Sequence, residues 1–244
     1  MADKRYVYPF EEAYGLGKEL LGGKGAGLAE MTHIGVPVPE GFTITTEACT
    51  LYYDSGKKIP EFVKEQIFAA IKDVEKKTGK TFGGEHNPLL VSVRSGARVS
   101  MPGMMDTILN LGLNDVTAAA LARETGNERF ALDSFRRFIL MFTNIAKGHP
   151  RTEMDKMLDE LKESRGYKLD TEVTTEELKV LVAKYKEYYK KTFGEEFPTD
   201  PKDQLMEAVA AVFRSWDNPR ANIYQTLKVK TLLLVSVPHF TLMN

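Results

Sequence analysis

Cysteine is nearly absent: Cys49 is the only one in 244 residues. That excludes a disulfide within the chain, argues against a zinc cluster, and makes a reducing compartment, the cytoplasm, the expected setting. Charge of one sign is lacking too. The 33 Lys and Arg against 34 Asp and Glu leave a net charge of −1, so no basic field points to nucleic acid or to an anionic membrane. The longest apolar run near the end, Leu232 to Val237, is far too short to span a bilayer. The opening MADKRYVYPFEE has no apolar stretch of leader length. Four histidines, His33, His86, His149 and His239, stand outside any metal or nucleophile arrangement, so no metal site is expected from them. Neither internal repeats nor low-complexity linkers occur, and the length suffices for one large domain or two small ones.

What is present concentrates in two segments. Leu89 to Asn110 reads LLVSVRSGARVSMPGMMDTILN. A β-branched apolar run gives way to Arg94 and Arg98, and then to a loop with Pro102, Gly103, Met104, Met105, Asp106 and Thr107. A strand ending in arginine beside a glycine-containing loop suits phosphate oxygens, because the guanidinium fork matches their geometry and keeps its charge. The competing reading is a surface turn with two solvated arginines. Leu20 to Met31 reads LLGGKGAGLAEM, with Gly22, Gly23, Gly25 and Gly27 around Lys24. Glycines allow close approach of backbone N–H groups, and a helix start favours an anion. It is no P-loop, since Gly25 follows the lysine where Ser or Thr belongs, and no dinucleotide fingerprint, since Leu28 replaces the third glycine. The alternative is a flexible turn ahead of an ordinary helix.

Periodicity predicts a mixed first block. Strands are expected at Tyr6 to Phe10, Phe42 to Thr45 and Leu89 to Val93, the last delivering Arg94 at its end. Helices are expected at Lys24 to His33, Thr46 to Ser55 and Ile59 to Lys77, with Phe62, Ile67, Phe68, Ile71 and Val74 inward. A helical block follows. Asn127 caps a helix to about Ala146 with an aromatic stripe of core character. Thr152 to Ser164 turns Met154, Met157, Leu158 and Leu161 inward. Thr175 opens a helix to about Phe193 whose Lys and Tyr residues at 184–191 read as a solvated face. Asp200 and Pro201 open a last helix carrying Leu205, Val209, Val212, Phe213 and Trp216. Arg214, Asp217 and Arg220 near its end read as surface ion pairing.

Taken together, LLGGKGAGLAEM, VPVPEGFTITTEAC, LLVSVRSGARVSMPGMMDTILNLGLND and FRSWDNPRA resemble the N-terminal ATP-binding part of the pyruvate, phosphate dikinase family, over about Tyr6 to Tyr224. Phosphoenolpyruvate synthase is the neighbouring family, and RSGARVSMPGMMDT looks more like the dikinase. The resemblance implies an α/β (α+β), ATP-grasp-like fold: an α/β part over 1–110, a helical insertion over 111–197, and a helix and tail over 198–244 returning to the first lobe, with much of the second lobe lacking. It implies ATP as ligand, with Lys24 and Arg94 as catalytic phosphate contacts. Gly22, Gly23, Gly25, Gly103, Met105, Asp106 and Thr107 complete the nucleotide site. Mg2+ is implied with its ligands in parts not seen here, and separate phosphohistidine and pyruvate-binding domains are implied as partners. The whole reaction converts ATP, phosphate and pyruvate to AMP, diphosphate and phosphoenolpyruvate. This chain alone is expected not to complete it. A truncated nucleotide-binding module, or an interaction module for separately encoded dikinase domains, stands as the alternative. After Tyr224 the sequence QTLKVKTLLLVSVPHFTLMN departs from the family pattern. Thr231 to Val237 reads either as a strand completing the first lobe or as sequence foreign to the family.

Overall fold

Short alternating stretches become strands here and capped amphipathic stretches become helices. The computed structural model describes residues 4–97, 107–215 and 231–237. In chain order they form β1 (Val7–Pro9), α1 (Gly17–His33), β2 (Gly41–Ile44), α2 (Thr46–Asp54), α3 (Glu61–Thr78), β3 (Thr81–Phe82), β4 (Pro88–Leu89), β5 (Val91–Ala97), β6 (Thr107–Leu111), α4 (Asp115–Thr125), α5 (Glu128–Ile145), α6 (Thr152–Arg165), α7 (Thr175–Phe193), α8 (Pro201–Arg214) and β7 (Thr231–Ser236). This is a mixed helix-and-sheet protein, as the sequence indicates. The chain divides into two compact units. One comprises residues 1–79, 91–109 and 205–244, the other 80–90 and 110–204. Residues 80–90, which the sequence reading keeps with the first part, thus cluster with the helical unit.

The first unit is organised by a five-stranded sheet in the order β1-β2-β7-β5-β6. β7 runs antiparallel to both neighbours, pairing Thr43 and Arg94 with the same residue, Leu234. Thr231–Ser236 is thus an interior strand of this sheet, hydrogen-bonded on both sides. Facing residues share one side of a sheet, so Thr43, Leu234 and Arg94 lie on one face. Phe42, Ile44, Val91, Val93, Leu233 and Val235 lie on the other, all buried. Gly41 is dictated by contact. A Cβ there would meet the Val235 carbonyl, and the Phe10 ring at 2.6 Å.

Two sequence expectations about this unit change. The strand before Arg94 breaks at Leu90 and resumes as β5, so Arg94 lies within a strand and not at its end. Pairing with β7 continues through Ala97, which outweighs the weak strand preference of Arg-Ser-Gly. In α3 the buried stripe is Val63, Ile67, Ile71 and Val74, with Phe62 and Phe68 only half-buried.

The helical unit is held by caps, rings and buried polar groups. Asn114 and Thr117 form a reciprocal capping box on α4, Asn127 caps α5, and Thr174 with Glu177 caps α7. Phe135, Phe138, Phe142 and Tyr189 surround Phe197 with centroid distances of 5.3–6.4 Å. Gln204 is fully buried yet fully paired. It accepts from Gly112 N and donates to the carbonyls of Leu113 and Pro198. Tyr185 and Tyr189 correct the solvated-face reading of 184–191, since both have zero exposure. Their spacing of four places them on the side of α7 that meets α5, while Lys184, Glu187 and Lys190 keep the outer side. The Tyr185 hydroxyl donates to the Met154 carbonyl at 2.6 Å. Burial pushes its phenol up to about 12, against a downward pull from the neighbouring Arg136 guanidinium.

Two predictions follow from this packing. Gly27 has open space where a Cβ would be, so Gly27→Ala stabilises the chain by roughly 0.5–1 kcal/mol in urea denaturation, whereas Gly41→Ala costs roughly 1–3 kcal/mol through overpacking. Tyr185→Phe costs about 1–2 kcal/mol at neutral pH. Because a phenol with a raised pKa stabilises the fold below about 10 and loses that contribution as pH climbs towards about 12, the variant also shows a shallower alkaline decline in stability.

Candidate functional site

The glycine-rich segment is not a loop. It lies inside α1, and its backbone leaves helical geometry at one residue, Gly22, with φ 63° and ψ 176°. That conformation is essentially restricted to glycine and costs other residues about 1–3 kcal/mol. The break ends one short helical stretch and starts another, so the expected helix start at Lys24 is retained within a longer element. A helix start presents N–H groups with no acceptor in the turn before them, together with a partial positive charge. Gly25 serves a different end. A Cβ there would stand 3.2 Å from both the methyl and the hydroxyl of Thr43 and 3.3 Å from the Leu21 Cβ. The new helical stretch is therefore seated directly on β2. Three residues further on, Leu28 packs on the Phe10–Leu234 cluster, carrying α1 across onto β7.

The same sheet row leads to Arg94. Thr43, Leu234 and Arg94 face one another across β2, β7 and β5. Two strand spacings thus separate the seat of Gly25 from the arginine backbone, about 10 Å. Lys24 and Arg94 are both solvent-exposed. They are close enough to sense each other: partial burial, and after it the Arg94 charge, hold the Lys24 amine below its usual value of 10.5. Lys24 and Arg94 are thus two exposed cations near one another beside a helix start.

The family model described as "Pyruvate phosphate dikinase, AMP/ATP-binding domain" matches residues 18–231. The chain belongs to this family. It is 57% identical over 224 residues to pyruvate, phosphate dikinase of Clostridium symbiosum, covering 91% of this chain and 26% of that protein. The Entamoeba histolytica pyruvate, phosphate dikinase is 53% identical over 219 residues, covering 90% and 25%. Pyruvate, phosphate dikinase 1, chloroplastic, of Zea mays is 55% identical over 210 residues, covering 86% and 22%. The chain spans about a quarter of the length of these relatives.

Within this AMP/ATP-binding domain, the structure brings Lys24, the Gly22–Gly25 turn and Arg94 together. Gly22 and Gly25 are buried and Gly23 half-buried. Thr107 opens β6, the strand beside β5, and is half-buried. Arg98, Gly103, Met105, Asp106, Asp217 and Arg220 lie outside the described residues. Among the described residues no group of three or more His, Cys, Asp or Glu is placed to hold a metal ion, and no helix is long and apolar enough to cross a membrane. Thr43 was missed by reading the sequence. Its signal is the alternation Gly41-Phe42-Thr43-Ile44-Thr45, which puts two hydroxyls on the sheet face that meets the glycine-rich helix.

The electrostatics carry a sign that can be checked. A lysine whose pKa falls on folding opposes folding while protonated, so its contribution to stability improves as pH rises from the lowered value to 10.5. Arg94→Gln removes the repelling charge. Lysine side-chain NMR titration is expected to show the Lys24 pKa rising towards 10.5 in this variant; an unchanged value contradicts the pairing.

Proposed function

We propose that this chain supplies the phosphate-binding half of an ATP-grasp type nucleotide site, serving a dikinase that turns ATP, phosphate and pyruvate into AMP, diphosphate and phosphoenolpyruvate. The observation that carries the reading is the convergence of Lys24, at the helix start after Gly22, with Arg94 on β5. Phosphoryl transfer asks a protein chiefly to position the phosphates and to neutralise charge as it spreads over the transferred group. Arg94 offers a fixed fork, Lys24 a mobile point charge, and the turn its backbone N–H groups. Catalytic roles for Lys24 and Arg94, and nucleotide contacts from Gly22, Gly23, Gly25, Gly103, Met105, Asp106 and Thr107, belong to this proposal. A magnesium ion bound with the nucleotide would help neutralise phosphate charge, and among the described residues no group of three or more His, Cys, Asp or Glu would hold it.

The relatives are about four times as long as this chain, so domains bearing the phosphohistidine and the pyruvate site are the proposed partners, joined in one protein or docked. A reducing compartment, the cytoplasm, fits the buried thiol of Cys49. Calorimetric titration of the chain with ATP and magnesium tests the reading. Saturable binding is expected, weakened about ten- to hundredfold by either Lys24→Ala or Arg94→Ala, the loss of charge-assisted hydrogen bonds worth roughly 1.5–3 kcal/mol each. Added salt weakens it further. Binding that is indifferent to both substitutions overturns the proposal, and pyruvate-dependent turnover by the chain alone overturns the half-site reading.

A further inference from the structure

Among the described residues of the first unit, three hydroxyls are buried without a hydrogen-bond partner: Thr43, Thr45 and Ser92. An unpaired buried hydroxyl is unfavourable, and folded proteins hold few of them. Thr43 is the one that meets the glycine turn. It is fully buried, and its Oγ1 lies 3.2 Å from the position a Gly25 Cβ would occupy. That places it beneath the third residue of the helical stretch that starts after Gly22. It also shares the sheet row that runs through Leu234 to Arg94. A valine there would fill the same space with no polar atom to leave unpaired, and β2 is otherwise apolar at Phe42 and Ile44.

From this placement we infer that Thr43 is a positioning residue for the phosphate site, its hydroxyl engaging the Gly22–Gly25 turn when an anion is bound. Drawing the turn towards an anion moves its peptide groups against β2, where the Thr43 hydroxyl lies 3.2 Å from the position of a Gly25 Cβ. The hydroxyl is unpaired in the empty chain and paired in the loaded one, so its energy contributes to binding rather than to folding. This inference rests on the proposed phosphate-binding role of the same turn.

Thr43→Val and Thr43→Ser, each measured for thermal stability and for ATP–magnesium affinity, separate this role from simple packing. The positioning role predicts that Thr43→Val keeps or raises the melting temperature yet weakens ATP about tenfold, or 1.4 kcal/mol. Thr43→Ser, which retains the hydroxyl and loses a methyl group, melts lower yet keeps affinity within about twofold. A packing role predicts the opposite order, with Val binding as wild type and Ser impaired, and that result overturns the inference. Wild type that binds and responds to Lys24→Ala, while Thr43→Val binds equally well, removes this inference and leaves the phosphate site standing. Absence of binding by folded wild type overturns both.

Discussion

β7 joins the two halves of the candidate site. β2 carries the floor on which Gly25 rests and β5 carries Arg94, and these strands do not touch; β7 lies between them, hydrogen-bonded to both. Its Leu234 sets the register on each side and also receives Leu28 from the helix above. Backbone pairing is directional and repeats at fixed spacing, so β7 fixes how far the helix start is from the arginine far more tightly than side-chain packing alone. The family match ends at residue 231, where β7 begins. All but the first residue of the strand that ties the candidate site together lies beyond the matched segment, and its Leu233, Leu234 and Val235 are buried on both faces of the sheet.

Against that frame the glycines divide by physical cause. Gly22 is required by a backbone conformation, Gly25 by the height at which a helix meets a strand, and Gly41 by the approach of Phe10 and the Val235 carbonyl. Gly27 answers to none of these. The charge pattern is similarly purposeful. The Arg94 charge adds to partial burial in lowering the Lys24 pKa, and in the proposed site a bound anion would relieve that repulsion.

Much of this was readable from residue order. Asn127 and Asp200 cap helices with side chains whose chemistry is local, and local chemistry shows in sequence. Lys24 and Arg94 stood out through the glycines and the β-branched run beside them, with a flexible turn and a solvated surface turn as the competing readings. What escaped depends on contacts between distant segments. Arg94 falls within a strand because β7, 140 residues later in register at Leu234, extends the pairing past it. Tyr185 and Tyr189 looked amphipathic until α5 and Phe197 enclosed them. Thr43 reads as an ordinary strand threonine until Gly25 is placed above it. The Gly22 break was hidden because the residues before it, Gly17 to Leu21, also form helix.

In the proposed site the turn at Gly22–Gly25 and the Arg94 side chain form one anion receptor. Backbone and arginine side-chain NMR during titration with ATP and magnesium tests it most directly. The account predicts concerted, saturable shifts at the amides of Gly23, Lys24 and Gly25 and at Arg94 Nε, with one shared dissociation constant and the helical unit undisturbed. Shifts confined to the helical unit, or a response at Arg94 with the glycine turn silent, would contradict it.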